Sequence, residues 1–401
     1  MTRISAETLP KFQKFLSDQG LDAWLLYDFQ GLNTFARQFV PLDEGLITRR
    51  WFYLLPATGS PAALVHRIEE HYFEGLPGKR IPYSGWQELH HALGELLAGH
   101  HRVAMEYSPE CALPYVSKID AGTLELVRSS GVEVVSSGDI IQYFHSRWSH
   151  KGYTAHMATV ALMHQIRERA FATAAKAVRD GQKLSEYELQ QAMMSDMTAA
   201  GLYADHPPIV AVDAHAALPH YSPTESNPSP IEAGSLLLID MWAKQSDEPE
   251  ATYVDITWTG YAGEQVPGKI AQVFSVVKEA RDAAVGFMER RLAAGQPVAG
   301  WEVDEACRAV VTEAGYGPHF THRTGHSIDV EVHGAGVNID ALEVRDDRQL
   351  IPGVGFSIEP GIYLPGEFGI RSEIDAYISD TGVEVTTTPS QEEVLPLLAM
   401  F

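Results

Sequence analysis

IDMWAKQSDEPEATYVDITW, residues 239–258, sets Asp240 and Asp255 inside two apolar, β-prone runs joined by the polar turn KQSDEPE. A carboxylate in a strand ordinarily points at water, so the pair gains meaning only from what the chain places beside it. A second stretch, IEPGIYLPGEFGIRSEI at 358–374, has the same plan around the turn LPGEFG. Gly234 lies six residues before Asp240 and Gly353 six before Glu359; the second acid follows after fifteen residues in the first copy, at Asp255, and after fourteen in the second, at Glu373. The correspondence extends upstream. Gly181-Gln182 precedes Glu188-Leu189 by seven residues and Gly201 by twenty, and Gly295-Gln296 stands in the same relation to Glu302-Val303 and Gly315. Self-similarity of this kind marks a duplicated structural unit, here a long helix, a glycine break, a second helix and then strands. Ser185 with Glu188 reads as a capping box for the second helix of the first copy. If the copies pack about a pseudo-twofold axis, four carboxylates converge.

The rest of the chain frames this core. A chain of 401 residues exceeds one average core and points to two domains. Residues 1–150 alternate strand-like and helix-like stretches (LDAWLLYDF, a hairpin in RRWFYLLPATGSPAALVHRI, RVAMEYS, VEVVSS), the pattern of an α/β domain. The polar SRWSHKG is the expected boundary, and the helix-forming run Thr154 to Asp180, ending at Gly181, opens the second domain, 151–401. The fold class expected is α/β (α+β). The net charge of −23 argues against nucleic acid or an anionic membrane as partner. No run reaches the length of a membrane span and Met1 to Asp28 holds no signal-like apolar segment, which gives a cytoplasmic protein as the expectation. Cys111 and Cys307 have neither CxxC spacing nor a nearby partner and are read as small buried side chains rather than a disulfide or thiolate site.

Four acids gathered in an apolar setting cannot all stay ionised without compensation, because desolvation and mutual repulsion raise their pKa values. Divalent cations are the usual compensation. Between the hairpins, HRTGHSIDVEVHGAG (322–336) carries His326 and His333 seven residues apart, a spacing that can turn both rings to one region. One imidazole with four carboxylates suits a pair of Mn²⁺, Zn²⁺ or Co²⁺ ions. Such a pair activates water and polarises a carbonyl, so the implied reaction is hydrolysis of an amide-like bond. Asp213, Asp329 and Asp375 lie near the motifs but outside the repeat correspondence.

The motifs AALPHY (216–221), LLLID (236–240), VDIT (254–257), RTGHSIDVEVH (323–333), SIEPGIY (357–363) and GIRSEI (369–374) resemble, in order, those of the pita-bread metallopeptidases, family M24, which includes methionine aminopeptidase, aminopeptidase P and prolidase. The N-terminal 150 residues are similar to the extra domain of prolidase and aminopeptidase P. The resemblance implies that Asp240 chelates one metal, that Asp255 and Glu373 bridge both, and that His326 and Glu359 complete the other shell, with Mn²⁺ the first choice of metal. It implies Glu359 as proton shuttle, His220 and His333 as substrate-facing histidines, and Arg371 as a residue that orients a ligand or contacts substrate. The activity implied is cleavage of the Xaa-Pro bond of dipeptides by a homodimer. Aminopeptidase P action on longer peptides is the alternative, and metal-free creatinase-like hydrolysis or a non-catalytic binding role comes behind it. Departures from the family pattern are the long turn KQSDEPE, Trp258 in place of a common Arg, Gly334 in place of a common Glu, Ile374 in place of an acid, and GAGVNID where some prolidases carry an Arg for the substrate carboxylate. For that carboxylate His220 is the expected partner, ahead of His333, Arg323 or an Arg within 345–348.

Overall fold

A computed structural model describes residues 2–42 and 45–401. The chain divides into two compact units, Met1–His145 and Ser146–Phe401.

The first unit is built on a mixed sheet of six strands in the order Lys79–Tyr83, Ala62–His66, Trp51–Pro56, Ala23–Asp28, Arg102–Met105, Glu133–Ser136. Trp51–Pro56 runs antiparallel to both its neighbours, while Ala23–Asp28, Arg102–Met105 and Glu133–Ser136 run parallel. Every residue of Ala23–Asp28 and Trp51–Pro56 is buried. That is why these strands read as unbroken apolar runs rather than alternating ones: both faces of the sheet are covered.

The second unit carries the duplication. The long helices His150–Arg179 and Gly268–Ala293 each end at a glycine with positive φ, Gly181 at 64° and Gly295 at 65°. The following Gln182 and Gln296 amides bond back to Ala177 and Arg291 at 2.8 and 2.9 Å. A left-handed residue is what lets the chain reverse over the last helical turn, and glycine adopts it without the steric cost of a Cβ. Helices Glu186–Ala199 and Gly300–Glu313 follow, the first capped by Ser185 and Glu188 as the sequence predicts. Strands Leu236–Gln245 and Val254–Tyr261 then pair antiparallel, with Asp240 opposite Thr257 and Asp255 opposite Trp242, so the two aspartates sit two positions apart on one face. In the second copy the hairpin is split. Gly355–Ile358 pairs with Ile374–Ser379 and Gly361–Leu364 with Phe368–Arg371. Glu359 and Glu373 fall in the breaks between these ladders. Pro360, which lacks an N–H to donate, makes such a break there.

Three sequence expectations change. The first long helix starts at His150 rather than Thr154, because the Ser149 hydroxyl accepts the Gly152 amide at 3.0 Å and caps it inside the polar segment expected to be linker. Cys307 is buried as expected, but Cys111 is exposed, on a turn where Glu110 and Cys111 both have φ of 55°. The first hairpin turn is shifted from KQSDEPE to residues 246–253, since Lys244 and Gln245 still belong to the strand Leu236–Gln245 and the next strand begins only at Val254.

Candidate metal centre

The two hairpins lie side by side, tied by the Glu373 amide on the Thr257 carbonyl at 3.2 Å. Asp255, His326 and Glu373 each offer a ligand atom within 4.8 Å of the others, and all three are buried. His326 Nε2 stands 3.7 Å from Asp255 Oδ2 and 3.5 Å from Glu359 Oε1. Asp240 joins the cluster through Arg371, whose Nη2 donates to Asp240 Oδ2 at 2.5 Å. The structure thus brings Asp240, Asp255, His326, Glu359 and Glu373 into one pocket of side chains.

The electrostatics of that pocket fit a cation. Burial, then repulsion from Glu373 and Asp240, pushes the Asp255 carboxyl well above the usual range; burial, then Glu359 and Asp240, does the same to Glu373. Burial raises Glu359 to about 7 against the opposing pull of Arg371. His326 is pushed well below its ordinary value by burial and by His333, so its imidazole is neutral and free to act as a ligand. Asp240 Oδ1 and Asp255 Oδ1 are buried without a hydrogen-bond partner. Buried carboxylate oxygens left unpaired are costly, and a divalent ion bound by this oxygen and nitrogen donor set removes the cost.

Positioning comes from side chains that the repeat did not mark. Thr257 Oγ1 accepts from Arg371 Nε at 3.1 Å and donates to Glu373 Oε2 at 2.6 Å, so Arg371 acts on Asp240 directly and on Glu373 through Thr257. Arg371 Nη1 donates to Tyr363 Oη at 2.9 Å, and Tyr363 Oη lies 2.7 Å from His322 Nε2. Burial pushes the Tyr363 phenol up to about 12 and the His322 ring down to about 3, so this chain of contacts keeps its charge on Arg371 and the acids. Asp375, set aside by the repeat, accepts the Asp255 amide at 2.8 Å and fixes that strand from behind. The fully buried His156 donates its Nδ1 proton to the Tyr253 carbonyl at 2.7 Å and bonds Thr386 Oγ1 through Nε2 at 2.8 Å.

The two expected substrate histidines are exposed, unlike the cluster. The His333 ring stands 4.3 Å from that of His326, centre to centre. His220 sits on a loop anchored by the buried Glu186, which accepts the Val212 amide at 2.6 Å and the Tyr221 hydroxyl at 2.7 Å. Of the cationic candidates for a substrate carboxylate, Arg348 is consumed by Asp346 at 2.6 Å and by the Ala335 and Gly336 carbonyls. Arg345 stacks on Trp301 at 4.0 Å. Trp258, the residue in place of a common Arg, carries the Arg167 guanidinium 3.7 Å above its ring.

A pH effect follows for the chain without metal. A carboxyl whose folded pKa is raised stabilises the fold at low pH and loses that contribution as pH climbs through the folded value; a histidine with a lowered pKa contributes above about 6.5 and loses it as pH falls. Below pH 6.5 the two trends oppose, whereas above it only the acids change. Raising the pH of chelator-treated protein from 6.5 to 8 is therefore expected to lower the melting temperature, on the order of 1 kcal/mol from Glu359 alone or a few degrees. Added Mn²⁺ should reverse it. A melting temperature that rises with pH over this range, or ignores Mn²⁺, would contradict the cation reading.

Fold and cluster together define a two-domain α/β protein whose second unit is a pita-bread domain with buried acids and a histidine at its centre. The chain belongs to metallopeptidase family M24, whose sequence profile matches residues 159–380. It is 33% identical over 190 residues to the Xaa-Pro dipeptidase of Lactobacillus delbrueckii subsp. lactis, a match covering 47% of each chain and so about half the length of that relative. Its fold is similar to the crystal structure of dipeptidase PepE from Mycobacterium ulcerans, with a TM-score of 0.71, 22% identity, and coverage of 98% of this chain and 97% of the other. Recombinant prolidase from Thermococcus sibiricus gives 0.62 at 22% identity, covering 96% and 98%.

Proposed function

We propose that this chain is a dinuclear metal-dependent Xaa-Pro dipeptidase, with residues 1–150 as a prolidase-like N-terminal domain and 151–401 as the catalytic domain. The observation that carries the reading is the meeting of four repeat-matched carboxylates and one neutral imidazole, with two of the carboxylate oxygens buried and unpaired. The name of the Lactobacillus relative supports the substrate class. In this reading Asp240 would hold one ion, Asp255 and Glu373 would hold both, and His326 and Glu359 would complete the ligand set of the other ion, with Mn²⁺ ahead of Zn²⁺ or Co²⁺. When bound, the ions supply a polarised carbonyl and water acidic enough to attack at neutral pH. The chain's own residues do the rest. Glu359 takes the proton from the attacking water and delivers it to the proline nitrogen, and that transfer is needed because a tertiary amide leaves as an amine. His333, beside His326 and open to solvent, faces the substrate carbonyl. His220, on its anchored loop, faces the substrate carboxylate. Arg371 holds Asp240 in place. The reading carries with it a homodimer acting in the cytoplasm, as the resemblance implies; among the described residues no helix is long and apolar enough to cross a membrane.

Metal analysis of the purified protein, with kcat/KM for an Xaa-Pro dipeptide, its C-terminal amide and an Xaa-Pro-Yaa tripeptide, tests this. Two equivalents of metal and a clear preference for the free dipeptide are expected. Equal or better cleavage of the tripeptide would make aminopeptidase P the right name. Hydrolysis that survives complete chelation would favour creatinase-like chemistry, and metal binding without hydrolysis a binding role.

A further inference from the structure

The first unit holds a cavity walled by its own strands and loops. Strands Ala23–Asp28 and Arg102–Met105 are parallel neighbours, and the antiparallel Trp51–Pro56 begins beside Asp28, with Asp28 registered on Trp51. Arg50 is therefore delivered to the carboxyl ends of the two parallel strands, where open α/β sheets hold ligands. The loop after Arg102–Met105 brings Lys118 and Asp120 to the same place, its Lys118 and Ile119 amides held by the Glu106 carbonyl at 2.8 and 3.2 Å. Between them is a cavity of about 620 Å³ with Tyr27, Phe29, Leu32, Arg50, Lys118 and Asp120 in its wall. That volume lies in the ordinary range for small-molecule sites.

Three features of the wall select a ligand. The apolar side is presented deliberately: Phe29 and Leu32 are 37% and 70% exposed, on a turn whose Gln30 and Gly31 have φ of 58° and 79°. A non-glycine residue at positive φ costs energy, and the Asp28 carboxylate holds this one by accepting the Gly31 and Asn33 amides at 3.1 and 3.0 Å. The charged side has a cationic surplus, Arg50 and Lys118 facing one acid, Asp120, which is already engaged by the Thr123 amide at 2.8 Å. The cationic and aromatic character continues next door, where Arg50 and Phe29 also line a cavity of about 490 Å³ with Arg49, His66 and Trp86. In a chain of net charge −23, such walls favour an anion. We propose that this cavity binds a small carboxylate with an apolar body, of the size of an acylated amino acid or dipeptide. Its carboxylate pairs with Arg50 and Lys118, and its side chain lies against Tyr27, Phe29 and Leu32. Arg50 supplies the planar fork that a carboxylate matches.

The test is calorimetric titration of the full-length, chelator-treated protein with N-acetyl-L-leucine and, separately, L-leucinamide. Chelation keeps the metal centre from recruiting the carboxylate, so the outcome does not depend on the peptidase reading. Saturable binding of N-acetyl-L-leucine and none of the amide is expected, weakened about tenfold or more in Arg50→Gln, restored in part by Arg50→Lys, and unchanged in His220→Ala. Arg50 is partly solvent-exposed, and far-ultraviolet circular dichroism with a melting curve establishes that its variants are folded. Binding that is absent, equally tight in Arg50→Gln, shared by L-leucinamide, or lost in His220→Ala would each overturn the proposal, the last by returning the ligand to the catalytic unit.

Discussion

Glu373→Ala is expected to abolish Xaa-Pro hydrolysis, by about 10³-fold or more with Mn²⁺ in excess, in a protein that still folds. Glu373 is 3% exposed and contributes to the only cluster of ligand atoms in which a second acid, Asp255, and an imidazole, His326, lie within 4.8 Å among the described residues. In the proposed dinuclear reading Glu373 would be shared by both ions, so its loss would displace both, and several kcal/mol of transition-state stabilisation would go with them. Folding should survive because burial and the neighbouring acids make the ionised Glu373 a liability in the metal-free protein; the substitution removes that repulsion while leaving Thr257 with its Arg371 contact. Circular dichroism, melting temperature and metal stoichiometry check the two halves separately. Wild-type kcat/KM in the variant would remove Glu373 from the site. Arg371→Ala should be milder, about 10- to 100-fold, since Arg371 positions Asp240 and Glu373 without holding an ion itself.

What made the centre readable in the sequence was duplication. Matching glycines at 181 and 295, 201 and 315, and 234 and 353 all adopt positive φ, so the spacing that exposed the repeat records positions where only a residue without a Cβ turns the chain cheaply. Those glycines fix where the strands begin, and hence where Asp240 and Glu359 fall. The supporting residues have no such signature. Asp375 has no counterpart in the first copy, because its task is to hold the backbone of Asp255 across the boundary between hairpins, a contact separated by 120 residues. Thr257 sits in a strand whose propensity alone explains a threonine. Its bond to Glu373 appears only once the two hairpins are packed. Arg348 shows the reverse error. A cation near the motif looked available for substrate, but a buried guanidinium must be paired, and Asp346 two residues away takes it. In the first unit the strands announced themselves by apolar runs, whereas the exposure of Cys111 follows from a turn conformation that no composition encodes.

Glu359→Gln is expected to lower kcat by about 10²- to 10⁴-fold with little change in KM, the range lost when a positioned proton carrier is removed. Geometry places Glu359 at the edge of the cluster rather than its centre: its side chain is 16% exposed, Oε1 faces His326 Nε2 at 3.5 Å, and Oε2 lies 3.9 Å from Arg371 Nε. It is therefore the acid with one side toward the other ligands and some access to where water and substrate meet. In the metal-free chain burial raises Glu359 to about 7 against the pull of Arg371, whereas a bound cation would favour its ionised, proton-accepting form. Glutamine keeps the shape and one carbonyl oxygen for a cation but neither takes up nor releases a proton. The wild type should lose kcat/KM on the acid side as Glu359 becomes protonated, and the variant should show a low, pH-independent rate in that range. Metal stoichiometry distinguishes the two roles assigned to the residue. A variant that retains two ions and keeps kcat within about tenfold of wild type excludes Glu359 as proton carrier, whereas one that loses an ion shows that its ligand role dominates.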